Sequence, residues 1–107
     1  MLSEIAHQIS ELVAENSKGY SALYDCEKAL AEAEYDLDTI EQTEFLGAQG
    51  TVADRTSIAR LKAAEKRLQR DLRKAEMNRV KMKIKSIETA LMALGTQARL
   101  LQAEMKL

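Results

Sequence analysis

The sequence predicts an all-α fold, a long antiparallel helical hairpin or coiled coil whose C-terminal helical segment is used for oligomerisation. The 107 residues include no proline and only four glycines, so few residues interrupt a helix. Apolar residues in the first half recur at two positions of a heptad, which is the spacing of a helix that packs along one stripe. A chain of this length is expected to form one domain, residues 1–107.

The first helix is expected over residues 1–46 and is acidic. Its apolar stripe consists of Leu2, Ile9, Leu23, Leu30 and Leu37 at one heptad position and Ile5, Leu12, Cys26, Ala33 and Ile40 at the other. Asn16 and Gly19 also fall on this stripe, and Gly weakens a helix by about 1 kcal/mol relative to Ala. The segment is therefore either one helix or two helices broken near 16–19.

A glycine turn is expected over residues 47–51. Gly47 is suited to a left-handed C-cap, and Thr51 stands three residues before Asp54, as in a capping box. A second, basic helix is then expected over 52–107, continuous or interrupted near 95, where Gly95 lies.

Folding the chain back at this turn predicts an apolar seam between the helices. The predicted pairs are Ile40 with Ile58, Leu37 with Leu61, Leu30 with Leu68 and Cys26 with Leu72. The face of the second helix that enters this seam, here called the leucine face, comprises Ile58, Leu61, Leu68, Leu72 and Ala75. Beyond Arg79 the apolar residues move to another face, which begins with Val80 and Ile84. The second half of this helix is therefore expected to pack on the N-terminal segment or on another subunit.

The charges are separated along the chain, although the net charge is only −1. Residues 1–54 carry twelve acids and two lysines, whereas residues 55–85 carry twelve bases and three acids. Such asymmetry indicates either a surface for nucleic acid or another acidic partner, or ion pairs between two adjacent helices. Six of the bases lie away from the leucine face and are predicted to be poorly placed to bridge the first helix: Arg60, Arg67, Arg70, Lys74, Lys81 and Lys85. Lys62, Lys66 and Arg73 are better placed for such bridges.

Enzyme chemistry is not expected. His7 is the only histidine and Cys26 the only cysteine, so one chain offers neither a Cys/His zinc set nor a Cys–His nucleophile pair. No cofactor or metal site is predicted. The absence of a disulfide pair and of an apolar run of about 20 residues favours a cytoplasmic protein without a membrane segment.

The layout resembles the small helical recombination-mediator proteins of tailed bacteriophages, the UvsY type. The features that carry the resemblance are Leu23-Tyr24 in the first long helix, the glycine turn, the basic helix "RLKAAEKRLQRDLRKAEMNRVKMKIK", and Arg99 within the apolar tail "ALMALGTQARLLQAEMKL". It implies a homo-oligomer that binds single-stranded DNA and helps to load a recombinase onto strands covered by single-strand-binding protein. If the protein is phage-encoded, the location is the cytoplasm of the bacterial host.

The resemblance also implies roles for individual residues. DNA contacts would fall on Arg60, Arg67, Arg70, Arg73, Lys74, Arg79, Lys81, Lys83 and Lys85. The oligomer would be closed by Leu91, Leu94, Leu101 and Met105. Two alternatives stay open: a structural or adaptor coiled coil that does not bind nucleic acid, and a small inhibitor that presents its acidic face to a host DNA-binding enzyme.

Overall fold

Three helices make up the computed structural model, which describes residues 1–106: α1 (Leu2–Gly47), α2 (Val52–Lys62) and α3 (Ala64–Lys106). The predicted all-α hairpin is confirmed, with α1 as one arm and α2 and α3 as the other. None of these helices is long and apolar enough to cross a membrane.

The helices differ from the sequence prediction in where they are interrupted. α1 runs without a break through 16–19, and α3 runs through Gly95. The interruption lies instead at Ala63, between α2 and α3, where the backbone has φ −89° and ψ 2°. The Ala63 N–H still donates to the Ala59 carbonyl at 3.0 Å, so most of the helical hydrogen bonding continues through the interruption.

The turn between the arms is held by local hydrogen bonds. Gly50, and not Gly47, takes the positive φ, at +113°. The predicted capping box is confirmed: the Asp54 N–H donates to the Thr51 hydroxyl at 3.2 Å, and the Thr51 N–H donates to the Asp54 carboxylate at 3.4 Å. These bonds fix the start of α2 at Val52.

Arg55 fastens the start of α2 to the end of α1. Its Nε donates to the Phe45 carbonyl at 3.1 Å, and its guanidinium lies 4.4 Å from the centroid of the Phe45 ring. The carbonyls of the last helical turn have no partner within their own helix, so Arg55 satisfies one of them.

The chain divides into two compact units. Unit 1 joins Met1–Leu23 to the segment that begins at Arg79, and unit 2 is Tyr24–Asn78. The single-domain organisation stays a prediction.

In unit 1 the heptad stripe of α1 packs against the face of α3 that carries Val80, Ile84 and Ile87, here called the Ile84 face. Ile5, Ile84 and Ile87 are buried. A Cβ added to Gly19 would lie 3.0 Å from Cγ1 of Ile84, so this glycine allows the two helices to approach closely. Asn16 is buried on the same stripe, and its Oδ1 has no partner among the described residues.

In unit 2 the residues of the second arm that pack against α1 are not the ones predicted. The buried residues are Leu37 of α1 and the small residues Ala59 and Ala63, whereas Leu61 is 78% and Leu68 58% exposed. The leucine face therefore lies toward solvent. Half-buried positions on the packed side of α3 are basic: Lys66, Arg67 and Arg70.

The continuity of α3 explains this rotation. Buried and half-buried residues of the second arm follow one heptad spacing that includes Ala59, Ala63, Met77, Ile84 and Leu101. At 100° per residue Leu68 and Leu72 lie about 120–160° around α3 from Ile84, so they point away from the face that carries this heptad spacing. The change of packing face predicted near Arg79 therefore does not occur.

We expect the close approach at Gly19 to be visible in a comparison of two Gly→Ala variants. Gly95→Ala should raise the free energy of unfolding by about 1 kcal/mol, because Ala is the better helix former and the added methyl group points into open space. Gly19→Ala should lose or reverse this gain, because its methyl group meets Ile84. Urea denaturation followed by circular dichroism measures both values. Equal gains at the two sites would contradict the close approach.

Tyr20 provides a second test of unit 1. Its hydroxyl donates to the Glu88 carboxylate at 2.7 Å, and this bond raises the pKa of Tyr20, while Asn16 lowers it to a smaller degree. Because the pKa is raised on folding, the stabilisation is fully present below the unfolded-state pKa and is lost as pH rises through the folded-state pKa.

The Glu88→Gln variant should accordingly lower the pKa of Tyr20. Absorbance titration of the three tyrosines measures the change, and the Tyr20→Phe variant identifies which transition belongs to Tyr20. An unchanged Tyr20 transition in Glu88→Gln would show that the hydrogen bond does not form in solution.

Candidate nucleic-acid interface

The nine bases predicted to contact DNA are divided between the two units. Arg60, Arg67, Arg70, Arg73 and Lys74 belong to unit 2, and Arg79, Lys81, Lys83 and Lys85 belong to unit 1. Their ion pairs and exposure separate them further.

Arg67 is bound within the hairpin. Its Nη2 lies 3.1 Å from Oε1 of Glu41, and both side chains are about one-third exposed. The same nitrogen donates to the Arg60 carbonyl at 3.3 Å. The prediction that Arg67 is poorly placed to bridge the first helix is therefore wrong, because the helix face was assigned from the leucines.

A second ion pair joins the arms of unit 2 near the turn. Nζ of Lys62 lies 3.2 Å from Oε2 of Glu44, as predicted. The same prediction is wrong for Lys66 and Arg73, which form no ion pair with α1 among the described residues. The ion-pair interpretation of the charge asymmetry therefore holds for Arg67 and Lys62.

Two further arginines of unit 2 pair with acids of their own helix. Nε of Arg70 lies 2.8 Å from Asp71, and Nη1 of Arg73 lies 3.4 Å from Glu76. Arg60 and Lys74 are exposed and form no ion pair within residues 1–106. Only part of the basic charge of unit 2 is thus available to an added anion.

The four bases of unit 1 form the most available group, here called the four-cation segment: Arg79, Lys81, Lys83 and Lys85. All are exposed, and none forms an ion pair with any described residue. At 100° per residue Arg79 and Lys83 lie on one side of α3 and Lys81 and Lys85 on the other, with Met82 between them. Because Val80 and Ile84 lie on the packed side of the helix, the four cations border its outward side.

One edge of this segment lies beside a groove of unit 1. Lys83 lines the groove together with Glu15, Lys18 and Gly19 of α1, and Ile84 and Ile87 form its floor. Lys18 adds a fifth basic side chain next to the four-cation segment, while Glu15 is a carboxylate that an anionic ligand must avoid.

The residues predicted to close an oligomer lie mostly inside unit 1. Leu91, Leu94 and Leu101 are half-buried, and Leu101 lines clefts together with Met1 and Ile5. They belong to the packed face of α3, so each packs in part within unit 1, and their predicted role in closing an oligomer stays a prediction. Met105 alone of the four is largely exposed.

The only histidine belongs to unit 1 and the only cysteine to unit 2. No three His, Cys, Asp or Glu side chains gather into a metal-binding group within residues 1–106. His7 pairs with Glu11 one turn away on α1, and Cys26 is a free, half-buried thiol.

Two features of unit 2 were not predicted. Arg55 binds Phe45, and no sequence motif marks this contact. The sequence analysis also did not predict that the leucine face points outward. The pattern that indicates it is the heptad spacing that links Ala59 and Ala63 to Ile84.

We expect the ion pair of Arg67 and Glu41 to give a small, salt-dependent coupling. A double-mutant cycle with Arg67→Gln and Glu41→Gln should show about 0.2–1 kcal/mol at low salt, which is typical of partly exposed pairs. The matched cycle with Lys74→Gln and Glu41→Gln should be additive, because Lys74 forms no ion pair among the described residues. Additivity in both cycles would show that Arg67 is not held by Glu41 in solution.

Comparison of the chain with models of protein families, with curated proteins and with solved structures finds no match. The features that bear on function are therefore the exposure, the ion pairs and the charge of the described residues.

Proposed function

We propose that the protein is a non-enzymatic accessory protein that binds single-stranded DNA through α3. The observation that carries this proposal is the exposure of all of the four-cation segment without an ion pair among residues 1–106. Flexible cations along both borders of the outward side of a helix attract phosphates, release counterions and do not read the base sequence.

This proposal rests on fewer residues than the nine bases predicted from the sequence. Arg79, Lys81, Lys83 and Lys85 are the principal phosphate contacts in this proposal, and Arg60 and Lys74 are additional ones in unit 2. Arg67, Arg70 and Arg73 contribute less, because each is already paired with a carboxylate. Met82 is 73% exposed between the cations and offers bases an apolar surface in place of an aromatic one.

The biological role in this proposal comes from the resemblance to UvsY-type recombination mediators. The protein would assemble into a homo-oligomer and help to load a recombinase onto strands covered by single-strand-binding protein. A bacterial host cytoplasm is the compartment that the same resemblance implies.

A second candidate function is that of a structural or adaptor coiled coil without nucleic-acid binding. The contacts of Arg67 with Glu41 and of Lys62 with Glu44 favour it, because they use part of the charge asymmetry inside the hairpin. This candidate leaves the four-cation segment without a role, which is why DNA binding is the better-supported proposal.

The test is a salt titration of binding to a single-stranded oligonucleotide. The Lys81→Gln/Lys83→Gln/Lys85→Gln variant should reduce the slope of log affinity against log salt by about 2, since each phosphate contact contributes about 0.7 for a single strand. Retained helicity, measured by circular dichroism, shows that the loss is not due to unfolding.

A matched variant removes the same charge from paired cations. Lys62→Gln/Arg67→Gln/Arg70→Gln should change the slope by less than half as much, because these side chains are bound to carboxylates. Equal effects of the two variants would indicate net charge alone and would contradict the proposed site. Undetectable binding by the unmodified protein at low salt would favour the adaptor function.

A further inference from the structure

Tyr20 is an exposed aromatic residue that α1 contributes to the surface of unit 1. It is 50% exposed, and its hydroxyl donates to the Glu88 carboxylate of α3 at 2.7 Å. The ring therefore reaches from one helix to the other and is held at its far end. A ring that is already fixed and still half-exposed offers a flat apolar surface to a ligand at little further cost in conformational entropy.

The position of the ring along α3 follows from two contacts. Gly19, the residue before Tyr20, lies beside Ile84, since a Cβ added to Gly19 would be 3.0 Å from Cγ1 of Ile84. The hydroxyl of Tyr20 lies at Glu88, about one helical turn further along α3. The ring therefore lies alongside the turn of α3 from Ile84 to Glu88.

Two members of the four-cation segment lie on the same side of α3 as Glu88. At 100° per residue, Lys81, Lys85 and Glu88 fall within about 60° of one another around the helix. Both lysines are exposed, and Lys85 belongs to the turn that the Tyr20 ring borders. The fold thus brings an aromatic residue of the acidic helix next to cations of the basic helix.

The bond to Tyr20 also explains why Lys85 has no carboxylate partner on its own helix. Glu88 follows Lys85 by three residues, a spacing at which helical ion pairs form. In the structure Glu88 instead accepts the Tyr20 hydroxyl, and it forms no ion pair within residues 1–106. One carboxylate therefore orients the ring and leaves the neighbouring lysine available to an anion.

We propose that a base of the bound single strand stacks on the ring of Tyr20, while Lys81 and Lys85 hold neighbouring phosphates. Aromatic rings beside cations are the usual surface for single strands, because every base has a face that can stack. α3 has no aromatic residue of its own, and its Met82 offers bases no flat ring. Tyr20 supplies that ring from α1.

This inference rests on the proposed function and adds a source of preference for single strands. An internal base of a duplex is covered on both faces by its neighbours, so it must leave the stack before it can reach a side chain. Phosphate contacts alone are open to both kinds of DNA. Stacking on Tyr20 therefore favours the single strand.

The other possible role of Tyr20 is structural, because its bond to Glu88 joins the two helices of unit 1. The two roles use different parts of the side chain. Stacking uses the ring, and the bond uses the hydroxyl. Tyr20→Phe keeps the ring and loses the bond, whereas Tyr20→Leu loses both.

The test compares two strands of equal length at low salt, oligo-dT and a deoxyribose-phosphate strand without bases. Both carry the same phosphates, so the difference in affinity measures contacts to bases. Tyr20→Leu should weaken the binding of oligo-dT about tenfold, as expected for one stacked base, and should leave the binding of the base-free strand unchanged. Tyr20→Phe should bind both strands as the unmodified protein does.

Tyr35→Leu is the matched control. Tyr35 is 71% exposed on α1 but belongs to unit 2, and its neighbours in the sequence are the acids Glu34 and Asp36. This variant should leave both affinities unchanged, and a loss equal to that of Tyr20→Leu would overturn the assignment to Tyr20. Circular dichroism verifies the helicity of every variant.

The remaining outcomes separate this inference from the proposed function. Equal binding of the two strands by the unmodified protein would overturn stacking and would leave the phosphate contacts in place. Tyr20→Phe as weak as Tyr20→Leu would assign the loss to the bond with Glu88 and would overturn the role of the ring. Absence of binding to both strands would overturn the proposed function together with this inference.

Discussion

The face of α3 that packs on α1 is the constraint on which the other features of this protein depend. Ile84 and Ile87 are buried, and Gly19 of α1 lets the backbone approach Ile84 closely. Because α3 is continuous from Ala64 to Lys106, the same face is presented along its whole length. It includes Met77 and basic residues in the turns before Arg79, and the leucine face is consequently directed outward.

The consequence for stability is different in the two units. Unit 1 buries Ile5, Ile84 and Ile87, each worth about 1.5–3 kcal/mol if fully buried. It also buries Oδ1 of the Asn16 side chain, which has no hydrogen-bond partner among residues 1–106, and such burial costs free energy. Unit 2 buries one large apolar residue, Leu37, together with two alanines. Its ion pairs between the arms are partly exposed and contribute little each.

Helix content, the turn and the stripe of α1 were predictable from the sequence, because each depends on local spacing. Asn16 and Gly19 did fall on the packed stripe, and Thr51 and Asp54 did form the capping box. The face of the second arm was not predictable from hydrophobicity alone. Leucines at heptad spacing indicate a contact but do not say whether the partner is the same chain. The small residues Ala59 and Ala63 carried the deciding signal, since close helix packing depends on size as well as on polarity. Which cations pair with α1 depends on the same face, so the ion pair of Arg67 with Glu41 was not predictable from the leucines either.

The basic charge is divided between contacts inside the chain and the four-cation segment. In unit 2, Arg67 and Lys62 lie beside carboxylates of α1, so a phosphate bound there would compete with Glu41 or Glu44. The four-cation segment belongs to unit 1, and no acidic side chain within residues 1–106 pairs with it. The phosphate contacts proposed for this segment therefore break no ion pair of the hairpin, which is why this segment, and not the paired bases of unit 2, carries the proposal of DNA binding.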